Sequence, residues 1–172
     1  MVSYPSYDNN RLVNGADAIY LQSLLNDKTK PLYNRATSQK TAPGSTFKMI
    51  SSVAGIQEEV IGLNETIYDR VVYTKTGQAA RCWSSSSHGD VDITSAIRYS
   101  CNYYYYELGY RLAEKTTGEY NDVFGIELLQ KYISMFGLDE NTGIELSESE
   151  PSVTDKDVVR SAIGQGTNSY TP

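Results

Sequence analysis

At 172 residues the chain has the length of one ordinary domain and can bury a real core. Its formal net charge of −6 and isoelectric point near 4.8 leave no basic stripe to meet phosphates, which argues against a nucleic-acid partner. It contains no apolar run of about 18 residues, so no membrane span is predicted. Met1-Val2-Ser3 also lacks the basic start and apolar core of a signal peptide.

Residues 1–41 are rich in turn formers: Tyr4-Pro5-Ser6, Asp8-Asn9-Asn10 and Asn14-Gly15. They read as a loop-like lead-in with a short helix near Ile19 to Leu25. Asn34-Arg35-Ala36 then runs toward Ala42-Pro43-Gly44-Ser45-Thr46-Phe47-Lys48. Pro43 and Gly44 end the lead-in, and a proline-free helix is predicted from Ser45 to about Glu58. Its buried face is Phe47, Ile50, Val53 and Ala54.

Thr66 to Tyr73 is β-branched and aromatic, which predicts a short strand or hairpin around residues 66–75. Lys75-Thr76-Gly77 follows as a turn, and Ser84 to Ser87 with His88-Gly89 reads as loop. Asp92 or Thr94 caps a helix through Ile97 and Tyr99, which breaks at Ser100-Cys101-Asn102. Asn102 reads as the N-cap of a second helix carrying Tyr103 to Tyr106, Leu108 and Leu112 and ending near Gly118. The four tyrosines are read as buried packing with hydroxyls at the rim.

Leu128, Leu129, Tyr132, Ile133 and Phe136 mark a further amphipathic helix stopped by Gly137. Thr154 with Asp157 resembles a capping box for a short helix through Val158, Val159 and Ala162. Gly164-Gln165-Gly166 has neither the lysine of a P-loop nor the third glycine of a dinucleotide site, so a tight turn is predicted.

Ser45 and Lys48 lie three residues apart and so share one side of a helix. A serine hydroxyl needs a neighbouring base to act as a nucleophile, and a lysine serves as that base only when burial or another cation lowers its pKa. Unpaired N–H groups at the helix start would stabilise an oxyanion. Taken alone, the spacing is a weak signal, and the same residues read first as an N-cap serine beside a solvated lysine. Cys82 and Cys101 are too few for a disulfide scaffold and lack C-x-x-C spacing, and His88 is the single histidine. No metal and no cofactor are therefore expected, and His88 is read as structural.

Ser45-Thr46-Phe47-Lys48, then Ser100-Cys101-Asn102 55 positions after the serine, then Gly164-Gln165-Gly166 with Thr171-Pro172, form an ordered set. The chain resembles the transpeptidase domain of penicillin-binding proteins, closest to the monofunctional class B kind. The likeness extends over Ser3 to Asn10, Pro31 to Ala36, Cys82-Trp83, His88-Gly89 and Ser100 to Tyr103. It implies a mainly α segment with a small β excursion, the helical part of the α/β fold shared with β-lactamases.

By that resemblance Ser45 is the acylated nucleophile and Lys48 its proton acceptor. Ser100 relays a proton toward the leaving amine, Asn102 holds the substrate's peptide amide, and the Ser45 backbone N–H is half of an oxyanion hole. The family's third motif, Lys-Ser/Thr-Gly, follows the Gly-Gln-Gly segment. Lys75-Thr76-Gly77 stands in the wrong order and is read as a coincidental turn. Residues 1–172 are thus expected to be a partial transpeptidase domain, truncated at both ends, with an apolar face left exposed.

The implied function is a peptidoglycan D,D-transpeptidase that cross-links stem peptides and is inhibited covalently by β-lactams, with this segment by itself expected to be inactive or weakly active. Its implied place is the extracytoplasmic face of the bacterial cell membrane, where Cys82 and Cys101 could pair; the sequence does not bring them together, and they are read as reduced. Two other readings stay open: a D,D-carboxypeptidase or β-lactamase-type hydrolase on the same fold, and a non-catalytic helical interaction or sensor module. Acyl-adduct formation separates the third reading from the first two, and turnover separates those.

Overall fold

The computed structural model describes residues 2–13 and 17–172; the expected Asn14-Gly15 turn lies outside the described residues. Helices α1 (Ala18–Asn26), α2 (Arg35–Ser38), α3 (Lys48–Gln57), α4 (Ile93–Arg98), α5 (Asn102–Glu114), α6 (Asp122–Met135) and α7 (Val158–Ser161) make most of the regular structure. Asp17 begins α1 by accepting from the Tyr20 N–H, so the predicted short helix forms. Asn34 caps α2 rather than leading directly into the serine-bearing segment.

The β excursion is longer than residues 66–75. Strands β2 (Val72–Tyr73) and β3 (Ala80–Arg81) form an inner antiparallel pair, and β1 (Ile67–Tyr68) and β4 (Asp90–Val91) pair outside it. The return strands come from a Gly- and Ser-rich stretch without apolar alternation, which is why periodicity hid them. Lys75-Thr76-Gly77 lies between β2 and β3, where Gly77 has φ +78° and donates to Thr74. Lys75 is engaged by Glu107, which it meets at 2.8 Å.

Helix α5 is the centre of the core. Tyr104, Tyr105, Leu108 and Leu112 are each 0% exposed, and α6, α7 and α3 pack around them. Three of the four consecutive tyrosines are buried, and Tyr103 is half-buried. Close approach is possible because α5 carries Gly109. A Cβ there would lie 2.8 Å from the Val158 carbonyl oxygen, so any side chain would push α7 away.

Charged groups fasten the same helices. Glu58, at the end of α3, accepts from Lys115 after α5 and from Lys131 and Tyr132 on α6. Those hydrogen bonds, Lys115 first, lower its pKa to about 2. Glu107 on α5 accepts from Tyr73 and Lys75 of the β excursion and from Arg111. Burial opposes its charge, but these donors hold it below the ordinary carboxylate range.

Two expected faces need correction. On α3, Phe47, Ile50 and Ala54 are buried, but Val53 is 37% exposed, one turn from Met49 at 61%. On α6, Phe136 is the C-cap and lies out of the core, while Leu129, Tyr132 and Ile133 fill it. Thr154 does not cap α7: Asp157, at φ +58°, accepts from the Arg160 N–H in that role. Thr154 instead joins Ser161 and the Lys156 carbonyl beneath the helix.

Candidate active site

Ser45 stands in a 3-10 turn, Gly44–Phe47, and α3 starts only at Lys48. A 3-10 turn eclipses residues i and i+3, so Ser45 and Lys48 share a side as the spacing predicts. Gly44, at φ +56°, opens the turn and donates its N–H to the Gly164 carbonyl at 3.0 Å. Gly164 itself has φ +72°, and a Cβ on it would fall 2.2 Å from the Gly44 oxygen. The Gly164-Gln165-Gly166 turn therefore backs the turn that bears Ser45, and only glycine fits at Gly164.

Three further contacts fix that backing. Asp122 at the start of α6 accepts from the N–H groups of Asp157 and Val158, which sets α7. Ser51 on α3 donates to the Ala162 carbonyl at 2.7 Å. Thr41 and Tyr170 exchange backbone hydrogen bonds of 2.9 and 3.0 Å, tying the segment before Ser45 to the last residues.

Ser100 closes α4. The Ser100 N–H reaches the Ile97 carbonyl and the Cys101 N–H reaches that of Ala96, at 3.1 and 3.0 Å. This is the paired bonding of a Schellman helix end, whose left-handed position is normally glycine. Ser100 occupies it at φ +52°, so the backbone carries strain at this serine.

Asn102 is not the N-cap of α5. Cys101 holds that position without a side-chain cap bond, and Asn102 is the first helical residue. Its side chain is free to turn toward Lys48.

Lys48 is 2% exposed. Its Nζ donates to the Ser100 carbonyl at 2.8 Å, to Ser100 Oγ at 2.9 Å and to Asn102 Oδ1 at 2.6 Å. These three acceptors use all the protons of an ammonium. Ser100 Oγ in turn donates to Ser45 Oγ at 2.6 Å. Lys48 thus meets Ser45 through Ser100, not by the direct contact that helical spacing suggests. Burial lowers the Lys48 pKa to about 8, against a smaller upward pull from Cys82 and Cys101. Ser45 itself is exposed.

Beside this group lies a cluster that spacing did not reveal. Asp69, Cys82, His88 and Cys101 each offer a ligand atom, and these atoms all lie within 4.8 Å of one another. His88 Nδ1 is 2.6 Å from Asp69 Oδ2 and 3.9 Å from Cys82 Sγ. Burial pushes Asp69 up, yet N–H bonds from His88 and Val71 bring it below the ordinary carboxylate value. Burial pushes the Cys101 thiol up to about 12. Both cysteines are buried and free.

Two thiols, an imidazole and a carboxylate form a donor set suited to four-coordinate zinc. The sequence reading expected no metal, and this cluster is a candidate metal site that it did not bring together. The four ligands come from the loop after β1, the end of β3, the loop before β4 and the α4–α5 turn, so no local motif announces them. Cys101 lies between Ser100 and Asn102, which makes the cluster a brace for that turn.

These residues form one hydrogen-bonded serine–lysine centre. The family model described as the penicillin binding protein transpeptidase domain matches residues 1–172, and the chain belongs to that family. It is 38% identical over 150 residues to peptidoglycan D,D-transpeptidase MrdA of Haemophilus influenzae, covering 86% of this chain and 21% of that one. Helicobacter pylori PBP2 superposes with a TM-score of 0.87 at 29% identity, over 99% of this chain and 33% of that one. The ceftriaxone acyl-enzyme complex of Mycobacterium tuberculosis penicillin-binding protein A gives 0.82 at 27% identity, over 99% and 38%. The chain thus spans about a fifth of the curated relative and about a third of the solved ones. These matches establish the mostly helical segment as part of that α/β fold.

The geometry can be tested at the turn and at the cluster. Ser100→Gly relieves the left-handed strain while Ser100→Ala retains it, so thermal unfolding should find the glycine variant more stable by about 1 kcal/mol. Equal stabilities would show that the position is unstrained. Protein stripped of metal should take up one Zn²⁺ per chain, measured by calorimetry with elemental analysis, and gain thermal stability. Cys82→Ser with Cys101→Ser should abolish both effects; stoichiometric uptake by that double variant would contradict the ligand set.

Proposed function

We propose that the chain carries the acylation centre of a peptidoglycan D,D-transpeptidase. The observation that supports this most is the hydrogen-bonded line from Ser45 Oγ through Ser100 Oγ to the buried Lys48 Nζ. With a pKa of about 8, about a tenth of Lys48 is neutral at pH 7. That neutral amine can accept what the ammonium now donates.

In the forward step Ser45 Oγ adds to the carbonyl carbon of a stem peptide. Its proton passes to Ser100, whose own proton passes to Lys48. The oxyanion so formed lies near the Ser45 N–H in the first turn of the 3-10 segment, where backbone donors lack helical acceptors. Collapse breaks the C–N bond, and the leaving amine takes a proton back from Lys48 through Ser100. A second stem-peptide amine then attacks the ester on Ser45, reversing the relay. Asn102, fixed by Lys48, is positioned to hold the substrate's amide.

In this reading a second oxyanion donor comes from the family's third-motif strand, and Lys75-Thr76-Gly77 is not that strand. β-Lactams would acylate Ser45, in line with the ceftriaxone acyl-enzyme complex of the relative penicillin-binding protein A. The working location is the extracytoplasmic face of the bacterial cell membrane. No helix among the described residues is long and apolar enough to cross a membrane. Assembly with other cell-wall synthesis proteins fits the same reading: H. pylori PBP2, solved in a complex with MreC, matches with a TM-score of 0.86 at 29% identity, over 99% of this chain and 32% of that one.

Intact-mass spectrometry with excess benzylpenicillin tests the proposal. One penicilloyl adduct per chain should form on the wild type, disappear in Ser45→Ala and slow by about 100-fold in Ser100→Ala. A wild type that is folded by circular dichroism and gains no adduct would overturn it.

A further inference from the structure

Two backbone contacts hold the Ser45 turn from behind. Gly44 donates to the Gly164 carbonyl, and Thr41 pairs with Tyr170. Both supports belong to the stretch 164–170, which contains no helix and only isolated bridges at Ser169 and Tyr170. Such a stretch keeps one shape only where side chains satisfy its backbone groups.

Asn168 meets that need. The residue is 2% exposed, and its carboxamide has four partners. The nitrogen donates to the Gln165 carbonyl at 3.2 Å and to the Ser161 carbonyl at 3.5 Å. The oxygen accepts from the Thr154 N–H at 3.2 Å and from the Tyr170 hydroxyl at 2.8 Å. These are all the bonds that a carboxamide can make, and the partners fix its orientation, since carbonyls only accept and a backbone N–H only donates.

The partners stand where the Ser45 turn is held. Gln165 adjoins Gly164, Ser161 ends α7, and Tyr170 is the residue that pairs with Thr41. Thr154 is joined to Ser161 through their hydroxyls. Ser45 itself is exposed and lies in a four-residue 3-10 turn. So short a turn does little to fix its own place.

We propose that Asn168 is a positioning residue for Ser45, whose carboxamide sets the Gly164 support against the Tyr170 support and so places the Ser45 hydroxyl relative to Ser100 Oγ. The role rests on the acyl-transfer reading above, in which Ser45 Oγ is the attacking atom. Displacing an attacking atom by a fraction of an ångström slows the chemical step, even when the cause lies outside the site.

Two variants test the two arms of the carboxamide. Asn168→Asp keeps the size and the acceptors and removes both donated hydrogen bonds; Tyr170→Phe keeps the ring and the backbone pairing and removes only the hydroxyl. Deuterium exchange of the Gly44 amide, followed by NMR, reports the Gly44–Gly164 bond, with the Leu108 amide on α5 as reference. Single-turnover reaction with a chromogenic cephalosporin separates the acylation rate constant from the affinity of the first complex.

In Asn168→Asp, Gly44 exchange should rise about tenfold relative to Leu108. The acylation rate constant should fall about tenfold, with the affinity within about twofold of wild type. Tyr170→Phe should move both readouts in the same directions by about threefold. Gly44 exchange that stays at the wild-type rate, or rises equally with that of Leu108, would overturn the proposal, because the carboxamide would then add only to overall stability. An unchanged acylation rate constant in a protein whose Gly44 amide is freed would overturn it too. If Asn168→Asp does not fold, Tyr170→Phe decides between the same outcomes. If the wild type is not acylated at all, the transpeptidase reading fails separately, and Gly44 exchange alone decides whether Asn168 holds the turn.

Discussion

The structure depends on one buried cation. Taking an ammonium out of water costs several kcal/mol unless acceptors replace the lost hydration. Lys48 finds them on the α4–α5 turn, 52 to 54 residues away in sequence. The requirement runs both ways. Lys48 needs Ser100 and Asn102 to be buried at all, and the turn needs Lys48 to hold Ser100 in a conformation that a serine does not prefer. Ser45, Ser100 and Lys48 are therefore joined to one piece of folding energetics.

The frame behind that contact is a sequence of short supports. Asp122 sets the start of α7, α7 leads to Gly164, Gly164 backs Gly44, and Gly44 opens the turn bearing Ser45. On the opposite side, Glu107 draws the β excursion onto α5. That excursion brings Asp69, Cys82 and His88 against Cys101. The two routes meet on either side of the α4–α5 turn. Charge, glycine contacts and a metal-capable cluster thus serve one end, a Ser45 hydroxyl held 2.6 Å from Ser100 Oγ.

The sequence made the motifs legible because their chemistry is local. Ser45 and Lys48 are three apart, Ser100 and Asn102 two apart, and each pair shares one turn. Helices α5 and α6 were legible for the same reason, through apolar spacing. Long-range pairing was not. Nothing near Asn102 says that its side chain answers a lysine on α3, so it reads as a cap. The outer β1–β4 pair joins two-residue strands more than 20 residues apart. The four-ligand cluster is the extreme case: one donor from each of four segments, with the spacing set by the fold. Thr154 misled because a capping-box pattern cannot show that Asp157 adopts the left-handed conformation and takes the cap itself.

In the proposed acyl-transfer reading, burial makes Lys48 a base of pKa about 8 that acts on Ser45 through Ser100. The most direct measurement is the second-order rate constant of benzylpenicillin acylation of the wild-type protein as a function of pH. Because the neutral form is active, the rate should rise about tenfold per pH unit below the midpoint and level off above about pH 8. A rate still rising at pH 10, or one flat from pH 6 to 10, would contradict it: the first would mean that Lys48 keeps the pKa of a solvated lysine, the second that its protonation does not govern the reaction.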